Sequence, residues 1–163
     1  MTHVVNDPVP LQKRPEGLIN VSKDTRVDDD SPLPIHALVV DDDQLTRRLM
    51  VRMLQRIGCN VETAENGQRA LEIILGGGSG PSDNFEIVFL DNQMPVLSGV
   101  QMVKRLRELG RTEFIVGITG NALKEDQAEY MEAGLDKVLT KPVLERSLKE
   151  MLKLVLDRRR TPE

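Results

Sequence analysis

From Ile35 onward the chain alternates short apolar runs with longer amphipathic ones, and this rhythm limits the possible folds more than any other feature. The runs are IHALVV (35–40), QLTRRLMVRMLQRI (44–57), CNVETA (59–64), GQRALEIIL (67–75), EIVFL (86–90), SGVQMVKRLREL (98–109), EFIVGIT (113–119), ALKEDQAEYMEA (122–133), KVL (137–139) and LERSLKEMLKLVL (144–156). The strands expected at 36–40, 86–90 and 114–118 are apolar along most of their length instead of alternating, as when helices cover both faces of a parallel sheet. Leu45, Leu49, Met53 and Ile57 recur every four residues and predict one buried helix face, with Gly58 placed to cap it in a left-handed conformation. Gly110 and Gly134 end two later helices in the same way. Five βα units in this order predict an α/β fold, a doubly wound, five-stranded parallel sheet flanked by helices.

In such a sheet the ligand site lies beyond the carboxyl ends of the strands. The first strand is followed by Asp41, Asp42 and Asp43, the third by Asp91, the fourth by Thr119, and the fifth by Thr140, Lys141 and Pro142. Carboxylates gathered at one edge repel one another unless a cation sits among them, and hard oxygen ligands suit Mg²⁺. An acidic pocket with a nearby ammonium and hydroxyl is suited to phosphoryl transfer with a carboxylate as nucleophile, so an aspartyl phosphate is the chemistry implied.

Charge and composition narrow the partners. With 22 Lys+Arg against 26 Asp+Glu the net charge is −4, and Phe85, Phe89, Phe114 and Tyr130 are the whole aromatic complement. A nucleic-acid binder is not expected on either count. No apolar run is long enough to span a bilayer, and Pro8, Pro10 and Pro15 break any secretory signal, so a cytoplasmic domain without direct membrane contact is expected. Cys59 is the single cysteine. Five of the nine prolines, with the acidic run Asp28–Asp30, fall in residues 1–34; that composition reads as a flexible linker or tail. The domain is placed at 35–157, with 158–163 a C-terminal tail whose Arg158, Arg159 and Arg160 form a frayed, solvated helix end. GGGSGPSDN (76–84) reads as a flexible loop.

LVVDDD (38–43), FLDNQMPVLSG (89–99), GITGNA (117–122) and LTKPV (139–143) together resemble the receiver domain of two-component response regulators, over about three quarters of the chain. The resemblance implies the flavodoxin-like receiver fold, Asp91 as phosphoacceptor, and Mg²⁺ held by Asp42, Asp91 and the backbone carbonyl of Gln93, with Asp41 acting through water. It also implies Lys141 paired with the phosphoryl group, the Thr119 hydroxyl bonded to it, and a cis peptide before Pro142. Gln93 and Asn121, two residues beyond Asp91 and Thr119, are expected to tune phosphoryl lifetime. The aromatic that family members often carry three residues before the lysine is here Val138, and Gly120 follows Thr119 where Ala or Ser is common.

His3 and His36 lie away from the acidic edge, and no ATP-binding motif is recognisable, so the phosphoryl group has to come from a histidine kinase or a histidine phosphotransfer protein. The last helix is expected to run out near Leu156, leaving no C-terminal output domain. On a helical wheel Val51 and Leu54 point away from the face of Leu45, Leu49, Met53 and Ile57, and are expected to dock a histidine-bearing helical partner. The receiver of a hybrid histidine kinase is the expected context. The alternatives are a stand-alone response regulator, a binding-only pseudo-receiver, and, from a different class, a haloacid-dehalogenase-like phosphatase. Asp41 and Asp43 imitate the phosphatase's D-x-D, but Leu45 stands where its Thr belongs. A flavodoxin-like cofactor binder needs a Ser/Thr/Gly phosphate loop where this chain has three aspartates.

Overall fold

The computed structural model describes residues 34–77, 84–94, 97–121 and 123–161. Five strands, β1 (His36–Val40), β2 (Asn60–Ala64), β3 (Ile87–Asp91), β4 (Phe114–Thr119) and β5 (Lys137–Thr140), alternate with five helices. These are α1 (Gln44–Ile57), α2 (Gly67–Glu72), α3 (Gly99–Glu108), α4 (Lys124–Ala133) and α5 (Glu145–Arg160); α2 continues into a π-helical turn over Ile73–Gly77. All strand pairs are parallel, in the order β2-β1-β3-β4-β5. The order reverses between β1 and β3, and a crevice opens there at the carboxyl edge.

The apolar strands are explained by a core on each side of the sheet. Leu38, Val40, Val88, Leu90 and Ile115 pack with Leu71, Met102, Leu106 and Tyr130, under α2, α3 and α4. Ala37, Val39, Ile87, Phe89, Val116 and Ile118 pack on the opposite side with residues of α1 and α5, among them Leu54, Leu148 and Leu152. Successive strand residues point to opposite faces, so a strand buried on both has no position left for a polar residue. The expected glycine caps are present: Gly58 (φ +107°) and Gly134 (φ +110°) close α1 and α4 in the left-handed region. Gly110 (φ +75°) follows α3.

Two expectations are corrected. The buried face of α1 is Met50, Leu54 and Ile57, whereas Leu45 is 65% exposed and Leu49 51%. A strict four-residue repeat advances 400° per step and drifts 40° each time, so Leu45 and Ile57 cannot share one face; the 50/54/57 spacing follows the helix more closely. Leu54 is therefore core and no docking residue, and Val51 is half-buried.

α5 does not stop near Leu156 but runs to Arg160. Its last turn is held by tertiary partners: Arg159 bonds the Glu86 carboxylate, and the Arg158 guanidinium lies over the Phe114 ring, 6.0 Å from its centroid. Residues 158–160 are thus part of the domain and not a solvated tail. The proposed linker up to residue 33, residues 78–83 of the glycine-rich loop, Pro95 and residues 162–163 lie outside the described residues.

Candidate functional site

Parallel strands deliver their last residues to one edge. Asp41 follows β1 directly and its N–H still donates to Ala64 O (3.2 Å), which keeps it in register with β2. Asp91 is the final residue of β3. Both side chains are buried, with 4% residue exposure each, while Asp42 is exposed. The carboxylates of Asp41, Asp42 and Asp91 offer oxygens that all lie within 4.8 Å of one another.

The facing loops bring the other groups in. Thr119 ends β4 and is 1% exposed. Its carbonyl accepts the Lys141 N–H at 2.8 Å, and this bond continues the β4–β5 ladder into the loop. Lys141 Nζ reaches 3.6 Å from Asp91 Oδ2. The Lys141–Pro142 peptide is cis. On the other side of the crevice Gly99 opens α3 so close to the chain that a Cβ there would sit 3.0 Å from Asn92 Cα and 3.2 Å from Asp91 O. The absence of a side chain at this position lets α3 approach the loop after β3 closely, since a Cβ there would force its neighbours apart.

Backbone donors fix the carboxylates. Gln93 N–H donates to Asp91 Oδ1 (3.1 Å) and Asp43 N–H to Asp41 Oδ1 (2.8 Å). Asp43 is the N-cap of α1, accepting from Thr46 Oγ1 (2.7 Å) and Leu45 N–H (3.1 Å). These bonds, the Thr46 hydroxyl foremost, hold its carboxyl below the usual carboxylate range. Asp41 is shifted the other way: burial pushes it up and the Asp91 charge adds to this, against the opposing Asp43 N–H and Lys141.

Among the described residues the three carboxylates outnumber the one ammonium beside them, and no His or Cys joins the set. An all-oxygen, acidic cluster fits a hard divalent cation such as Mg²⁺ and not a soft one. Asp41, Asp42 and Asp91 are the side chains that could hold it.

Asn121 turns its side chain to the start of α4. Its Nδ2 donates to Asp126 Oδ2 (2.6 Å) and its Oδ1 accepts Leu123 N–H (3.2 Å), so the side chain holds the start of α4. Its backbone N–H donates to Thr119 Oγ1 at 3.1 Å, which orients the hydroxyl instead. Gln93 is exposed and meets Asp91 through its backbone.

Comparison with known proteins bears on the same residues. Positions 37–153 match the response regulator receiver domain family. The chain belongs to that family. This receiver is 36% identical over 107 residues to two-component response regulator 24 of Arabidopsis thaliana, covering 66% of this chain and 73% of that protein. It is 35% identical over 137 residues to the sensor histidine kinase RcsC of Escherichia coli, covering 84% of this chain but only 14% of the kinase. Among solved structures, the Vibrio cholerae chemotaxis protein CheY4 superposes with a TM-score of 0.66 at 28% identity, over 76% of this chain and 99% of that one. The receiver is thus a two-component signalling domain with a phosphoacceptor fold.

Other features around the site are harder to read from sequence. Arg47, one turn into α1, donates from Nη1 to Asp41 O (2.6 Å) and steadies the acidic loop from behind; nothing distinguishes it from its neighbour Arg48 in sequence. Gly99 is partly legible, because Ser98 before it is a helix-capping residue and caps α3 in a box with Gln101. Leu45 and Leu49 are exposed on α1, and a groove lined by Leu49, Arg52, Met53, Arg56 and Val143 runs from α1 to the loop after β5. Their apolar character in an amphipathic pattern makes them look like core.

Proposed function

We propose that this receiver accepts a phosphoryl group from a phosphohistidine onto Asp91 and works in the cytoplasm as the receiver of a hybrid histidine kinase. The observation that carries the reading is the convergence of Lys141 Nζ, 3.6 Å from Asp91 Oδ2, with the carboxylates of Asp41 and Asp42 at the same strand edge. An Asp91 carboxylate oxygen attacks phosphorus in line, a P–O bond forms, and the P–N bond to the donor imidazole breaks, leaving an acyl phosphate and a neutral imidazole once a proton is taken up. Lys141 meets the charge on the phosphoryl oxygens, and the Thr119 hydroxyl, buried and aimed by the Asn121 N–H, hydrogen-bonds one of them. A bound Mg²⁺ supplies further neutralisation of those oxygens. Asp41, whose carboxyl is raised by burial, balances the added divalent charge.

The partner in this reading is a histidine kinase or histidine phosphotransfer protein, docking on α1 through Leu45 and Leu49 in place of Val51 and Leu54. The identity to RcsC along most of this chain supports the hybrid-kinase context; a stand-alone regulator is the alternative, favoured by the like identity to the Arabidopsis regulator. Intact mass after incubation with acetyl phosphate and Mg²⁺ tests the chemistry. An adduct of about 80 Da is expected in the wild type and absent without Mg²⁺ and in Asp91→Asn. An adduct that survives in Asp91→Asn refutes the assignment.

A further inference from the structure

α1 is strongly basic: its sequence, QLTRRLMVRMLQRI, holds four arginines and no acid, in a chain whose net charge is −4. Leu45, Arg48, Leu49, Arg52 and Arg56 recur at three- and four-residue spacings and are all exposed, so they form one stripe along the helix. Leu49 and Arg52 line both grooves that flank this stripe, one reaching Thr63 of β2 and the other Val143 after β5. The carboxylates at its two ends are engaged. Asp43 caps α1, and Glu145 pairs with Arg56 at 2.5 Å and with Lys149 at 3.7 Å. Arg48 and Arg52, one turn apart, have no carboxylate partner among the described residues. An exposed arginine is well hydrated on its own, but here two of them stand beside two exposed leucines next to the acidic crevice. A surface that buries the leucines and pairs the arginines is an apolar patch rimmed by carboxylates.

α1 starts where the crevice ends, since its N-cap Asp43 follows Asp41 and Asp42 directly. Resting on the phosphohistidine reading above, we infer that the donor is selected by charge: the histidine-bearing domain that docks here carries carboxylates around an apolar centre, paired with Arg48 and Arg52, while Leu45 and Leu49 meet the centre. Carboxylates one turn apart on a partner helix match the spacing of the two arginines, about 6 Å along α1. Rim pairs of this kind act chiefly on the rate of encounter and on the exclusion of wrong partners. The crevice itself repels an acidic donor, so the arginines also supply the local attraction that lets one approach.

The test measures second-order phosphotransfer rates to the full chain from two sets of phosphorylated histidine phosphotransfer domains, one with acidic and one with basic residues around the histidine. At about 20 mM salt the acidic set is expected to transfer about tenfold faster or more. That advantage should vanish at about 0.5 M salt, where the screening length falls to a few ångströms, and in Arg48→Glu/Arg52→Glu. Lys104→Glu/Lys137→Glu, at exposed positions on α3 and β5, changes the net charge equally and should retain it. Rates that do not sort by rim charge overturn the proposal, as does an advantage lost equally in the Lys104→Glu/Lys137→Glu variant, which would report total charge alone. Sedimentation in which the wild type associates with itself at low salt and Arg48→Glu/Arg52→Glu does not would give the face to a second copy and overturn it too. Acetyl phosphate labelling at Asp91 separates the two readings. No transfer from either set with labelling intact overturns the acidic donor, whereas a wild type that does not label overturns the phosphoacceptor reading itself.

Discussion

Cys59 enters the sheet just before β2 and packs into the core beneath α1 and α5. Burial pushes its thiol up to about 11, and the Glu86 carboxylate adds to the shift. Below about pH 9 the thiol is protonated whether the chain is folded or not, and it adds no pH dependence. Between about 9 and 11 the unfolded chain has released this proton while the folded one keeps it, so Cys59 lowers stability as pH rises through that window. At pH 8 a disulfide reagent should modify Cys59 in the native receiver at least ~100-fold more slowly than in denaturant. Equal rates, followed by thiolate release, would show that the residue is not buried. Gly117 illustrates what sequence leaves hidden at this scale. It interrupts the apolar run FIVGIT for no visible reason, yet a Cβ there would collide with the Leu135 side chain, which crosses β4 to reach the core.

α1 carries apolar residues on two faces with different duties. Leu54 is fully buried among Val39, Phe89 and Leu152, whereas Leu45 and Leu49 face solvent. Leu54→Ala should cost about 2–5 kcal/mol in chemical denaturation by leaving a cavity. Leu45→Lys/Leu49→Lys should leave the denaturation midpoint within about 0.5 kcal/mol of wild type and slow phosphotransfer from a histidine phosphotransfer protein about tenfold or more, without changing labelling by acetyl phosphate. An unaltered transfer rate would move docking off this helix. Composition cannot separate the two duties, since leucines fill both faces and only packing against the sheet and α5 decides which is covered. The end of α5 was obscured for a related reason. Three consecutive arginines read as solvent-facing until Glu86 and Phe114, some seventy and forty positions earlier, provide their partners. Helix existence follows from local periodicity; helix facing and length depend on contacts distant in sequence.

Across the whole receiver, strand order turns a one-dimensional pattern into a site. Aspartates 41, 42 and 91 and Lys141 are separated by up to a hundred residues, yet each follows an apolar run, and parallel pairing carries all of them to one edge. That is why the acidic centre was readable from sequence, whereas Arg47 and the Asn121–Asp126 bond, which depend on side-chain direction, were not. In the proposed reading, Mg²⁺ binds a cluster of carboxylates gathered only in the folded state, and a ligand of the folded state alone stabilises it. At a hundredfold excess over its dissociation constant it should add about 2.7 kcal/mol and raise Tm by several degrees. Asp42→Asn should remove most of that rise in calorimetry, and a rise of equal size in the variant would place the cation elsewhere. The Arg159 side chain that holds Glu86 also donates from Nη2 to Pro34 O at 3.4 Å. It brings the beginning and end of the folded unit to the same corner, so a short Gly-Ser bridge from 161 back to 34 should close the backbone into a ring without distorting the sheet. A unit whose two ends meet in this way can be spliced into a surface loop of an unrelated scaffold as readily as appended to its end.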